Sequence, residues 1–180
     1  PESIVKEIEK AKDKAKTSSY WKNWWRVYGL GEVGQLEGAC IPDWKEIKEV
    51  PNEAKLVGAG LDFGYTVDST SIVNLYKYND TFIFDEVLYR TGMLNRDISN
   101  FIKNNNINCN IYADSAEPKS IAEIRLSGID VFPVTKGRDS IVYGINLINQ
   151  NKVFVTHRSK NLKKELEGYV WMKDKQGNTL

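Results

Sequence analysis

Three apolar, β-branched runs follow one another between residues 56 and 88, and they constrain the fold more than any other part of the sequence. The runs span residues 56–61, 71–78 and 81–88, and only Asn79-Asp80 separates the last two. An Asn-Asp pair between two strand-like runs is typical of a tight hairpin turn. The sequence therefore predicts three successive antiparallel strands.

Helix-like and strand-like segments alternate after these strands. Helices are predicted at about 95–104, 118–127, 139–150 and 160–167, and strands at about 108–114, 129–134 and 152–156. Strands separated by helices imply crossover connections and parallel pairing. The whole pattern predicts an α/β fold, in which a mixed sheet of three antiparallel strands followed by parallel strands carries helices on its faces.

The size and composition of the chain favour a soluble globular protein. Its 180 residues, 41% hydrophobic and 27% charged, are enough for one well-buried core or for one domain with a short arm. The sequence contains neither a signal peptide pattern nor the roughly 18-residue apolar run that a membrane span needs, so a cytoplasmic setting away from membranes is expected. Cys40 and Cys109 lack zinc-site or disulfide spacing and are predicted to be free thiols.

The first 40 residues differ from the rest in composition. Residues 3–16 predict a highly charged surface or linking helix, and residues 20–28 contain three of the five tryptophans. These rings either pack against the core or a neighbouring domain, or stack on bases.

Two aspartates are the leading candidates for chemistry. Asp62 follows the first predicted strand, within Gly-Leu-Asp-Phe-Gly-Tyr, and Asp114 follows a later one, within Tyr-Ala-Asp-Ser-Ala-Glu-Pro. If the first strand is central in the sheet, the two acids lie at neighbouring strand ends and can share a divalent metal. Carboxylate oxygens suit magnesium or manganese, and two such ions activate water and stabilise the leaving group in phosphodiester hydrolysis. Cutting nucleic acid, holding a nucleotide and capping a turn remain the alternatives at this point.

Other acids near the pair have competing interpretations. Asp68 either reaches back from the following loop to the metal or forms a turn before Ser69. Gly64 is expected to leave room for a ligand. Glu86 and Glu117 are lesser candidates, and Glu117 before Pro118 also fits a helix N-terminus.

Several classes of chemistry are excluded by what the sequence lacks. It has one histidine, His157, which is predicted to end a strand at the surface, and no serine or cysteine nucleophile motif or phosphate-binding P-loop. Charge is uneven, since residues 136–164 contain seven basic residues against one acid. This stretch either binds phosphates or solvates helix faces.

Several segments of the sequence match one family. They are residues 25–34 (WRVYGLGEVG), Gly38, Trp44, residues 60–65 (GLDFGY), residues 113–120 (ADSAEPKS) and residues 136–141 (KGRDSI). From about Trp21 onward the chain resembles the large terminase subunit of tailed bacteriophages or prophages. The Ala-Asp-Ser-Ala-Glu-Pro segment is the most specific part of this resemblance.

The resemblance implies an N-terminal packaging ATPase joined to a C-terminal nuclease of ribonuclease H-like fold. Residues 1–54 then correspond to the tail of the ATPase region with its linker, and residues 55–180 to the nuclease. Asp62 and Asp114 correspond to catalytic, metal-binding acids, with Asp68 as a possible further ligand, and the cofactor is expected to be two Mg²⁺ or Mn²⁺ ions. The implied function is that of an endonuclease that cuts concatemeric DNA by two-metal phosphodiester hydrolysis.

The resemblance also implies partners. The expected ones are double-stranded DNA, the small terminase subunit, the portal and the ATPase domain of the same polypeptide, in the cytoplasm of the bacterial host. The residues expected to contact DNA are Lys136, Arg138, Lys160, Lys163 and Lys164. Little sequence specificity is expected, because phosphate contacts carry no base readout.

The family's third acid is not found in this sequence. It belongs to an Asn-His-x-x-Asp-Ala-like segment after residues 169–171, and Asp174 lies too early to replace it. The nuclease is therefore expected to be truncated before its last acidic motif and to cut poorly alone. The alternatives are a RuvC-like resolvase or transposase core and a non-catalytic fragment that docks on the motor. An actin-like or sugar-kinase-like phosphotransferase is a further alternative, because residues 60–66 resemble its first phosphate-binding hairpin. That class needs a second such loop and a longer chain, and this sequence has neither.

Overall fold

The computed structural model describes residues 38–135, 137 and 139–171, with the isolated positions 13 and 25. The predicted charged helix and the tryptophan segment lie outside these residues, apart from those two positions. The chain divides into two compact units, one of Asp43–Leu162 and one of Pro1–Pro42 with Lys163–Leu180. In the second unit, Ala39 forms an antiparallel bridge with Val170.

A seven-stranded mixed sheet forms the centre of the first unit. Its strands are β1 (Trp44–Ile47), β2 (Lys55–Asp62), β3 (Thr70–Tyr78), β4 (Thr81–Arg90), β5 (Ile111–Asp114), β6 (Val131–Val134) and β7 (Lys152–Thr156). They lie in the order β1-β7-β4-β3-β2-β5-β6. β2, β3 and β4 pair antiparallel, and the other neighbours pair parallel. The predicted mixed sheet is confirmed.

The helices described are α1 (Asn95–Asn104), α2 (Pro118–Leu126), α3 (Ser140–Asn149) and α4 (Lys160–Gly168). Each lies within two residues of its predicted range, because apolar periodicity and flanking Pro, Gly and Asn residues mark helix ends well. Within the described part of the chain, no helix has the length and apolarity to cross a membrane.

The β3–β4 hairpin has the predicted two-residue turn. Tyr78 pairs with Thr81, and Asn79 adopts a positive φ of 52°. Asparagine tolerates this left-handed conformation better than most residues, which explains its place in the turn.

Strand β1 was not expected, since its residues read as a connecting segment between Pro42 and Pro51. It has only four residues, too few to show alternation, and it forms by pairing in parallel with β7 at the edge of the sheet. The His157 N–H donates to the Ile47 carbonyl at 2.7 Å, and His157 Nδ1 pairs with Glu46 Oε1. His157 therefore follows the end of β7 at the surface, as predicted.

The core of the first unit lies between one face of the sheet and helices α1 and α2. Leu61 and Ile72 on the sheet pack in one cluster with Ile98 of α1 and Ile121 and Ile124 of α2, and all are at most 4% exposed. Full burial of each such side chain contributes about 2 kcal/mol. Side chains alternate along a strand, so the residue after Leu61 projects from the opposite face.

Candidate metal centre

Asp62 and Asp114 lie side by side at one edge of the sheet. β2 and β5 are adjacent and parallel, and Leu61 pairs with Ala113 in the last register position. Asp62 directly follows Leu61 and Asp114 directly follows Ala113, and each aspartate is the last residue of its strand. At the usual strand spacing, their Cα atoms are roughly 5 Å apart. Since Leu61 and Ala113 are buried against the helices, both carboxylates project from the opposite face.

The two carboxylates differ in surroundings. The Asp62 side chain is exposed at the end of β2. Asp114 is half-buried, and its Oδ1 accepts the Ala116 N–H at 3.0 Å, while its carbonyl accepts the Glu117 N–H at 3.2 Å. Asp114 therefore does hold a turn, and that turn orients its carboxylate beside Asp62.

The two ends of the loop after Asp62 contact each other. Thr70 Oγ1, fully buried at the start of β3, donates to the Gly64 carbonyl at 2.7 Å. A Cβ at Gly64 would lie 2.5 Å from the carbonyl oxygen of Asp68. The expectation that Gly64 leaves room for a ligand is therefore wrong, because the Asp68 main chain occupies that space. The same contact places the Asp68 main chain against Gly64, two residues after Asp62, and the Asp68 side chain is exposed.

Glu86 and Glu117 both lie at helix starts. Glu86 Oε2 accepts the Leu162 N–H at 2.6 Å and Oε1 accepts Asn161 Nδ2 at 2.9 Å, so this carboxylate caps the first turn of α4. Glu117 is the N-cap residue of α2, with Pro118 in the first turn. The helix-start interpretation of Glu117 thus agrees with its position.

A buried ion pair was missed from the sequence. Asp85, 1% exposed on β4, accepts hydrogen bonds from Arg158 Nε at 2.7 Å and from Thr156 Oγ1 at 2.7 Å. Thr156 also bonds Ser159, whose Oγ accepts the Glu86 N–H. The available signal was the acidic residue inside an apolar strand, because a buried carboxylate requires a partner.

The predicted DNA-binding residues fall in two groups. Lys136 and Arg138 lie outside the described residues. Lys160, Lys163 and Lys164 belong to α4, where Lys160 and Lys164 are exposed and Lys163 is half-buried. The end of β7, from which α4 begins, lies on the same edge of the sheet as Asp62 and three strands away, roughly 14 Å by strand spacing.

The donor set fits part of a carboxylate metal site. Asp62 and Asp114 offer the hard oxygen ligands that Mg²⁺ and Mn²⁺ prefer. Across residues 38–135, 137 and 139–171, no three His, Cys, Asp or Glu side chains are grouped to hold an ion. Asp62 and Asp114 are thus a pair of acids at one sheet edge, without a third such side chain grouped with them among the described residues.

The fold and the paired aspartates define an α/β domain of ribonuclease H-like type with a carboxylate-bearing sheet edge. The chain belongs to the terminase RNase H-like domain family, whose model, described as "Terminase RNAseH like domain", matches residues 62–180.

Two curated relatives are similar in sequence. The terminase large subunit of Bacillus phage SPP1 is 29% identical over 81% of this chain and 35% of its own length. The PBSX phage terminase large subunit of Bacillus subtilis (strain 168) is 28% identical over 98% of this chain and 42% of its own length. The chain thus spans about two fifths of these relatives or less.

Solved structures show the same fold. The g2p large terminase nuclease domain of bacteriophage SPP1, with bound Mn, superposes with a TM-score of 0.67 at 24% identity, covering 78% of this chain and 86% of that one. A large terminase from a thermophilic bacteriophage superposes with a TM-score of 0.61 at 19% identity, covering 86% of this chain and 45% of that one.

Proposed function

We propose that this chain is the nuclease part of a phage-type terminase large subunit, a metal-dependent endonuclease that cuts concatemeric DNA. The observation that carries the proposal is the position of Asp62 and Asp114, at adjacent parallel strand ends on one sheet edge. In this proposal residues 55–180 belong to the nuclease, and residues 1–54 to the ATPase tail and linker.

Asp62 and Asp114 are proposed to be the catalytic, metal-binding acids, and Asp68 a further ligand. Two Mg²⁺ or Mn²⁺ ions bound there would generate the attacking hydroxide and stabilise the leaving oxygen. Asp62 is suited to this role because it is exposed, and Asp114 because the Ala116 N–H orients it. The remaining carboxylate would come from outside the described residues.

The DNA is proposed to lie along the edge that carries both the acids and the start of α4. Lys160, in the same unit as the acids, would neutralise backbone phosphates there, and Lys136, Arg138, Lys163 and Lys164 are proposed as further phosphate contacts. A separation of roughly 14 Å between the end of β7 and Asp62 suits contacts to phosphates beyond the one being cut. The ATPase domain of the same polypeptide, the small terminase subunit and the portal are the proposed partners, in the host cytoplasm.

The test is a manganese titration of thermal stability. Ligand bound only to the folded state stabilises it by about 1.4 kcal/mol when its concentration is tenfold above Kd. We expect Mn²⁺ to raise the Tm of the wild type, and Asp62→Asn and Asp114→Asn to cancel the rise. Asp130→Asn is the matched control, because this exposed acid precedes β6 at the opposite edge of the sheet and should keep the rise.

Cleavage assays separate the alternatives. A terminase nuclease extended through its remaining acidic motif should nick or cut linear duplex DNA with Mn²⁺, and Asp62→Asn should abolish this, whereas residues 1–180 alone should cut poorly. Preference for four-way junctions over linear duplex would favour a RuvC-like resolvase. If Mn²⁺ leaves the Tm of every variant unchanged and no DNA is cut, the docking fragment is the correct alternative.

A further inference from the structure

A cleft of about 330 Å³ opens where helices α1 and α2 begin. Met93 and Ile98, both buried, form its apolar floor, and the half-buried Phe63 lines it beside them. Tyr65 and Leu94 stand at its mouth and are 55% and 50% exposed. The cleft is therefore apolar inside and open to solvent past an aromatic ring.

The polar groups of the cleft are uncharged or acidic. Asn95, Glu117 and Ser120 line it, and Ser120 Oγ donates to Glu117 Oε2 at 3.3 Å. No lysine or arginine is among the described residues that line it. A phosphate would lack cationic partners here, whereas a flat heterocycle with amino groups on its edge matches an aromatic wall and carboxylate and amide acceptors.

The cleft adjoins the proposed catalytic acids in the chain. Phe63 directly follows Asp62, and Glu117 lies three residues after Asp114. Both loops leave the sheet at the edge where β2 and β5 end. Both carboxylates project from the sheet face opposite α1 and α2, so a DNA strand bound to them brings a neighbouring base to the cleft by passing over this edge.

We propose that this cleft binds one unstacked nucleobase of the strand being cut, next to the scissile phosphate. This inference rests on the proposed function and adds a base-binding subsite to it. The base stacks against Tyr65, and its exocyclic amino group donates to Glu117. A base that is already unpaired costs least to move into such a site, so single-stranded or locally melted DNA is the favoured ligand.

Binding to two oligonucleotides tests the proposal. Both have about 12 nucleotides and the same phosphates, but one has abasic sugars throughout, and Ca²⁺ replaces the catalytic metal to prevent cutting. We expect the wild type to bind the base-bearing strand more tightly. Tyr65→Ala should weaken that binding by about fivefold or more and change the affinity for the abasic strand less than about twofold.

Two further variants control the interpretation. Ser120→Phe fills the cleft and should reproduce the effect of Tyr65→Ala, whereas Tyr143→Ala removes a 71% exposed ring on α3 and should affect neither strand. A 5-iodocytosine-substituted strand, whose base keeps an exocyclic amino group, should photo-crosslink to Phe63 or Tyr65. Equal weakening of both strands by Tyr65→Ala, or crosslinks only at other residues, would overturn the inference.

The proposed base subsite and the proposed function can be tested separately. Asp62→Asn should lose metal-dependent cutting yet keep its preference for the base-bearing strand. If the wild type cuts DNA but binds both strands equally, the cleft is not a base subsite and the proposed function stands. Base-dependent binding that Tyr65→Ala removes, without any Mn²⁺-dependent rise in Tm, would overturn the proposed function and leave the cleft a nucleobase site.

Discussion

Arg158, just after β7, makes a two-point ion pair with Asp85, which lies 73 positions earlier on β4. Nε donates to Oδ1 at 2.7 Å, and Nη2 donates to Oδ2. Hydrogen bonding to Asp85 raises the pKa of Arg158 above its ordinary value. The Asp85 side chain is 2% exposed and that of Arg158 is 63% exposed, so the pair connects a buried carboxylate to the surface.

Arg158→Ala should destabilise the protein by about 2–3 kcal/mol, because it leaves the Asp85 carboxylate buried with Thr156 as its remaining partner. This value lies below that for fully buried pairs, since water screens the exposed guanidinium. Urea unfolding measures the change. Arg96→Ala, at an exposed position on α1, should change stability by less than about 0.5 kcal/mol. Adding Asp85→Asn to Arg158→Ala should recover part of the loss, and a further loss would contradict this explanation.

Glu86→Ala should loosen the start of α4. It removes the acceptor of the Leu162 N–H and of the Asn161 amide, at an expected cost of about 1–2 kcal/mol. Amide hydrogen exchange should accelerate at Leu162 well before it does in β3. Glu86→Gln keeps an acceptor oxygen and should show a smaller change, and Glu53→Ala, at an exposed acid outside the helices, serves as the control.

Gly64→Ala should destabilise the protein by about 1–3 kcal/mol, because the added methyl group would overlap the Asp68 main chain. Gly60→Ala is the matched control, since a Cβ there meets no atom within 4 Å and alanine costs less chain entropy than glycine in a strand. The Tm should therefore fall for Gly64→Ala and rise for Gly60→Ala, although the two substitutions are identical and lie four residues apart. Equal losses would mean that the loop is not closed as described.

Cys109 should react slowly with alkylating reagents at neutral pH. Burial raises the pKa of its thiol, and only the thiolate is nucleophilic. The neutral form is favoured in the folded state, so its stabilising contribution is fully present below the unfolded thiol's pKa and is lost as pH rises through the folded value. In a Cys40→Ser protein, the alkylation rate should begin to rise at a higher pH when the protein is folded than when it is unfolded in urea. Coincident profiles would contradict a protected thiol.

Local patterns predicted most of the sheet and helices. The β3–β4 hairpin follows from Asn79-Asp80 between alternating runs, and α1 follows from residues 95–104, because turn chemistry and periodicity act over a few neighbouring residues. The parallel direction of β5 was also predictable, since a helix between two strands returns the chain in the same direction, whereas its place beside β2 was predicted only on the condition that β2 is central.

Features decided by distant partners were not predictable. β1 exists because β7 pairs with it, and its four residues carry no strand signal of their own. Arg158 lies in the basic stretch 136–164, for which the sequence left phosphate binding and solvated helix faces as alternatives, and nothing near it in sequence indicates Asp85. The cleft likewise depends on how the starts of α1 and α2 meet the loop after Asp62, which is a property of packing.

The position of β1 has a consequence for synthesis of the protein. Among the described strands β1 is translated first, yet it pairs with β7, which is translated last, and the Glu46–His157 contact beside them spans 111 positions. β2, β3 and β4 can pair as soon as they emerge, whereas β1 must wait for nearly the whole sheet. A pause in translation before residue 152 would therefore leave a nascent chain with its central hairpins formed and its earliest strand unpaired.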